Sequence, residues 1–154
     1  MTVHGPDIPF TARATHQDGD FWAKYVVSRP SPPEQFFDII QNYHGTHGNP
    51  TTDIAHDVGT GPGNIAMRLL RYYNQVVGSD VHEEALAAGA KLLPADLRRR
   101  LTFIHSPAEE LANDGVVDPA VGGGGQTDLV LVSECMPLLD APRALAAFGR
   151  LLRP

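Results

Sequence analysis

Residues 53–70, DIAHDVGTGPGNIAMRLL, constrain this chain more than any other stretch. They read as a short strand, a glycine turn and the start of a helix. Glycines stand at 59, 61 and 63. Gly59 and Gly61 permit backbone angles and a ligand approach that a Cβ would block. Gly63 lets the following helix lie close on the strand. Such a turn makes a nucleotide-type site at the C-terminal edge of a parallel sheet. The spacing is G-x-G-x-G, however, and not the G-x-G-x-x-G of dinucleotide enzymes. Asp57, two residues before the first glycine, would repel a pyrophosphate and favour an ammonium group. The expected ligand is nucleoside-like and partly cationic. Taken alone, the turn also fits an ordinary strand-to-helix loop.

The rest of the chain gives that turn its setting. Residues 1–17 are polar, with Pro6 and Pro9, and are expected to form a flexible arm ahead of one domain at 18–154. Phe21–Pro30 is rich in aromatic residues, too short for a core helix by itself, and reads as a packing lid or a flap over a ligand. Pro32 and Pro33 suit a first helical turn, and Phe36, Phe37, Ile39, Ile40 and Tyr43 recur at helical spacing. A helix is therefore expected from about Pro33 to Tyr43, ended by a loop at 45–50. Strands are expected at 54–58, 75–80, 101–105 and 127–133. Helices are expected from the glycine turn to about Tyr73, then at 82–93 and 142–152. Residues 113–127, with four successive glycines at 122–125, read as a flexible surface insertion, because ordering such a run is entropically expensive.

Four alternations of strand and helix imply a parallel α/β sheet with right-handed crossovers. The four strands end at Asp57, Asp80, Ser106 and Ser133, so polar groups gather on one edge. An acid at the end of strand 2 can accept hydrogen bonds from both ribose hydroxyls of a nucleoside. Its competing reading is a helix N-cap.

Composition excludes several classes. A net charge of −6 argues against nucleic acid as the main partner. No apolar run approaches the length of a transmembrane helix, and no secretory signal is apparent. The single cysteine, Cys135, forbids an intrachain disulfide and fits a reducing, cytoplasmic setting. The histidines are scattered and suggest no metal cluster.

Taken in order, the motifs resemble those of class I S-adenosylmethionine-dependent methyltransferases. Asp57–Gly63 looks like the family's first motif, Val77–Asp80 like the second and Thr127–Glu134 like the fourth. The loop at Ser106–Leu111 and the helix end at Ala147–Pro154 also resemble family segments. Tyr25 with Arg29-Pro30 resembles the entry segment of small-molecule methyltransferases of the trans-aconitate type.

The resemblance implies S-adenosylmethionine as cofactor, a small-molecule acceptor and a Rossmann-like sheet of order 3-2-1-4. It implies that Asp57, Thr60 and the backbone of Gly59, Gly61 and Gly63 hold the methionine part. It places Asp80 on the ribose, Val81 on the adenine face, and Ala108 and Glu109 at the adenine edge. Ser133 would lie under the sulfonium, with Glu134 near the acceptor as a candidate base. Tyr25 and Arg29 would close over the cofactor, Arg29 pairing with its carboxylate.

The family sheet normally carries seven strands, in the order 3-2-1-4-5-7-6, and strands 5 to 7 are expected to be absent here, whether because the chain is the cofactor-binding half of a longer enzyme, because strand 4 pairs with another chain, or because the protein is a degenerate relative kept for another role. Strand 4 is then an open edge, available to a second copy or to a partner chain. That leaves a second expectation beside the enzyme: a non-catalytic module that pairs through this edge.

Overall fold

The computed structural model describes residues 19–29, 31–47 and 51–154. The expected arm at 1–17, Pro30 and the loop residues 48–50 lie outside them. The sheet has four parallel strands: β1 (Ile54–Val58), β2 (Gln75–Asp80), β3 (Leu101–His105) and β4 (Leu129–Val132). Their order is β3-β2-β1-β4, as expected. The helices are α1 (Gly19–Ser28), α2 (Glu34–His47), α3 (Asn64–Leu69), α4 (Glu83–Leu92) and α5 (Ala141–Leu151).

Side-chain alternation along β1 splits the core between the two faces of the sheet. Ala55 joins Phe37, Ala66, Leu69, Tyr73, Val76 and Leu101 on one side. Val58 joins Leu111, Val117, Ala144, Phe148 and Leu151 on the other. All five residues of β1 are buried, Asp57 and His56 included. β1 is thus a central strand, and its polar residues must be satisfied inside the protein.

Several boundaries depart from expectation. The aromatic stretch at the start is a ten-residue helix, α1, because Trp22 finds a buried seat against Ala85 and Ala88 of α4. Helix α2 runs past Gly45 to His47. His44 is buried there, with its Nδ1 2.7 Å from the Tyr73 hydroxyl, and this packing outweighs the glycine's helix penalty. Helix α3 stops at Leu69, four residues before Tyr73. Arg100 caps the turn that follows, donating from Nη2 to the carbonyls of Leu70 (2.7 Å) and Tyr73 (2.8 Å).

β4 is shorter than the expected 127–133 and coincides with the apolar run, and all four of its residues are only half-buried. Thr127 and Asp128 serve as a clasp instead. Asp128 Oδ2 accepts from the backbone of Asp53 (2.8 Å) and Ile54 (2.9 Å), while Oδ1 lies 3.0 Å from Arg153 Nε. Thr127 pairs in parallel with Leu152, so the residues after α5 start along the open side of β4. In the glycine-rich segment Gly122 and Gly123 are buried, and Thr127 Oγ1 donates to the Gly122 carbonyl at 2.8 Å.

Candidate functional site

The site is built where β1 gives way to α3. The Gly59 and Thr60 amides both donate to the Ser79 carbonyl, at 2.8 and 3.0 Å, which pins the turn to β2. Gly59, Gly61 and Gly63 have φ of +70°, +55° and +88°. At Gly59 a Cβ would also lie 2.4 Å from the Cys135 sulfur, so only glycine fits. The Cys135 thiol donates to the Val58 carbonyl at 3.3 Å, and burial pushes its pKa up to about 11. This thiol packs the turn. Behind the turn, Gly89 of α4 backs onto the Pro62 carbonyl, which would stand 2.4 Å from an added Cβ.

Two acids flank the turn. Asp57 is 2% exposed and accepts from Thr60 Oγ1 at 2.7 Å. Burial pushes its pKa up to about 7, partly opposed by its hydrogen bonds to Thr60 and the Ala66 backbone, while the nearby Asp80 charge adds to the rise. Asp80, at the end of β2, is held from both sides. Its Oδ2 accepts from the Gly61 amide (2.8 Å); its Oδ1 faces the His82 amide (3.0 Å) and His82 Nδ1 (2.9 Å). The helix N-cap is His82, which makes no side-chain cap bond. Asp80 instead ties β2 to the glycine turn.

Helix α1 roofs this edge. An added Cβ on Gly61 would sit 3.9 Å from Trp22 Cζ3, and the Trp22 ring lies 6.0 Å from that of His82. One turn further on, the Tyr25 ring lies 5.3 Å from Trp22. Arg29 donates to the Tyr25 hydroxyl, stacks over that ring at 5.2 Å and forms an ion pair with Glu134. Glu134 follows β4 and has φ +64°, the only positive φ outside glycine among the described residues.

The other expected residues lie around the same edge. Val81 is 54% exposed beside Asp80, its carbonyl 3.0 Å from His105 Nε2. Ser133 is half-buried at the end of β4. Ala108 is buried in the core with Leu111 and Phe148. Glu109 turns toward the start of α5, where it accepts from the Asp140 amide at 2.8 Å. Trp22 belongs to the aromatic stretch expected to form a lid or flap, though the sequence does not single it out within that stretch. His82, Gly89 and the packing of Cys135 on Gly59 are additions from the structure, and of these Gly89 left a signal, as a lone glycine within an alanine-rich helix.

Residues 55–154 match the methyltransferase domain family. The chain belongs to this family. The methyltransferase domain is 55% identical over 150 residues to methyltransferase ptaI of Pestalotiopsis fici, covering 96% of this chain and 44% of that protein. It is 37% identical over 145 residues to methyltransferase pgmE of Aspergillus terreus, covering 92% and 41%. The chain thus spans less than half the length of either relative. In fold it resembles Haemonchus contortus phosphoethanolamine N-methyltransferase 2, solved with S-adenosylhomocysteine and phosphomonomethylethanolamine. That match has a TM-score of 0.62 and 20% identity, and covers 81% of this chain and 27% of that one. Together with the strand order, these findings make the domain a class I S-adenosylmethionine methyltransferase fold.

Proposed function

We propose that this domain binds S-adenosylmethionine and forms the cofactor half of an enzyme that methylates a small-molecule acceptor in the cytoplasm. Asp57 carries the reading. No ion pair among the described residues neutralises this buried acid, and its raised pKa reflects the cost of its charge. A cationic ligand at the glycine turn would offset that cost, and the cofactor's ammonium is such a group. The remaining groups fit the same molecule. Asp80, fixed by Gly61 and His82, keeps acceptor capacity for a ribose diol. Val81 offers an exposed apolar face for adenine beside it. Gly59, Thr60, Gly61 and Gly63 supply the close backbone approach, and Ser133 borders the region where the sulfur would lie.

The bound cofactor supplies a methyl group on a sulfonium, already electrophilic. The protein's share is alignment and exclusion of water. Helix α1, with Tyr25 and Arg29, covers the site, and Glu134 is the acid placed to accept a proton from an acceptor. Ala108 and Glu109 would act on adenine through the loop's backbone and shape, since their side chains are engaged elsewhere.

Isothermal titration of S-adenosylmethionine into the purified domain, with Asp80→Ala beside it, tests the reading. Micromolar binding that falls at least about tenfold in the variant is expected, because two ribose hydroxyls lose their charged acceptor. Absence of binding by the folded protein overturns it. A second reading, a non-catalytic module pairing through β4, draws on the half-buried state of all four β4 residues. Under that reading the protein elutes as a dimer or an obligate complex and binds no cofactor.

A further inference from the structure

We propose that Glu134 is a positioning residue that holds Arg29, and through it helix α1, until the carboxylate of the cofactor's amino-acid part takes Arg29 over. The inference rests on the cofactor reading above and concerns the order of events within that site. The exchange releases Glu134 to face the acceptor only once the cofactor is seated.

Three observations converge on this exchange. The Arg29 guanidinium, just past the end of α1, is gripped on two sides, by the Tyr25 hydroxyl of that helix and by the Glu134 carboxylate across the site. Glu134 also sits in the left-handed backbone region. For a residue with a Cβ that conformation costs about 1–2 kcal/mol, and it persists where the surroundings dictate it. The acid is therefore planted at the end of β4 at a cost to the fold.

Charge balance is the third observation. Asp57, Asp80 and Glu134 are acids on this edge, and Arg29 is the guanidinium paired there. An amino-acid ligand brings one ammonium and one carboxylate. Asp57 suits the ammonium, so the carboxylate needs a cation that Glu134 already neutralises.

The pair is built to exchange. Its side chains are 42% and 68% exposed, and a pair so solvated contributes little on its own. Glu134 therefore acts as a weak competitor that tunes cofactor affinity without blocking it. A cofactor carboxylate held nearer the buried turn makes the stronger claim on Arg29 once Asp57 has fixed the ammonium.

Titrating two ligands into the wild type, Glu134→Gln, Arg29→Ala and the double variant tests the exchange. S-adenosylhomocysteine carries the carboxylate; 5′-methylthioadenosine lacks the whole amino-acid part. Gln keeps the length and backbone demand of Glu134 and removes only the charge. Glu134→Gln is expected to bind S-adenosylhomocysteine about threefold tighter, with no change for 5′-methylthioadenosine. Arg29→Ala should abolish that gain, and Glu134→Ala should reproduce it. Equal or weaker binding of S-adenosylhomocysteine by Glu134→Gln overturns the exchange, as does an equal gain for 5′-methylthioadenosine. A wild type that binds neither ligand overturns the cofactor reading and the exchange with it.

Discussion

Asp57 makes the site work against the fold, and the size of that conflict is measurable. Its carboxyl titrates at about 7 in the folded protein against 3.8 for the unperturbed group. A carboxyl with a raised folded pKa holds its proton in the native state where the unfolded chain has lost it. Its contribution is therefore most favourable below about pH 3.8 and worsens as pH rises toward about 7. Integrating between the two pKa values gives a penalty of about 2 kcal/mol near pH 5 and about 4 kcal/mol near pH 8.

Asp57→Asn removes this dependence while keeping shape and an acceptor for the Thr60 hydroxyl. Urea unfolding of both proteins at the two pH values should show the variant gaining on the wild type by about 2–3 kcal/mol between them. Titration of S-adenosylmethionine should show the same variant losing cofactor affinity, since the ammonium loses its counter-charge. A stability gap that does not change with pH refutes the argument. So does a variant that binds the cofactor as well as the wild type.

Two further perturbations act behind the site. His56, buried with Nε2 2.8 Å from Ser79 Oγ, has its pKa lowered by burial to about 4 from 6.5. Its contribution to stability is complete above about pH 6.5 and is lost as pH falls toward about 4. His56→Gln should remove that acid-side slope in a series of denaturant melts. Gly89→Ala would place a methyl group against the Pro62 carbonyl. It should cost about 1–3 kcal/mol in urea melts despite alanine's higher helix propensity, and it should weaken cofactor binding by shifting the turn. A stabilised Gly89→Ala would show that α4 does not press on the turn.

The first three strands could be read to the residue because their signals are local. Each is a short run of buried or branched residues bracketed by turn formers, and each is paired as a parallel strand. Elements stabilised from a distance were harder. Helix α1 owes its form to Trp22 in its seat on α4, and α2 owes its last turn to His44 against Tyr73. Neither partner lies within the helix's own window of sequence. The site shows the same division. The glycine turn, Asp57 and Asp80 declare themselves by spacing. That the Asp80 carboxylate reaches back 19 residues to the Gly61 amide does not. Nor does the spacing show that Glu109 faces α5, or that Arg29 meets Glu134 across the site.

The Asp128 clasp has a mechanical consequence. It fastens the backbone at the start of β1 to Arg153 after α5, on the end of the sheet away from the glycine turn. Tension applied to the polypeptide beyond α5 reaches Arg153 first and is handed to Asp53 and Ile54, at the foot of the central strand. Its path stays at the base of the sheet and bypasses the turn at residues 59–63, so a pull on the backbone at Arg153 is borne by the foot of the sheet and not by its ligand-facing edge.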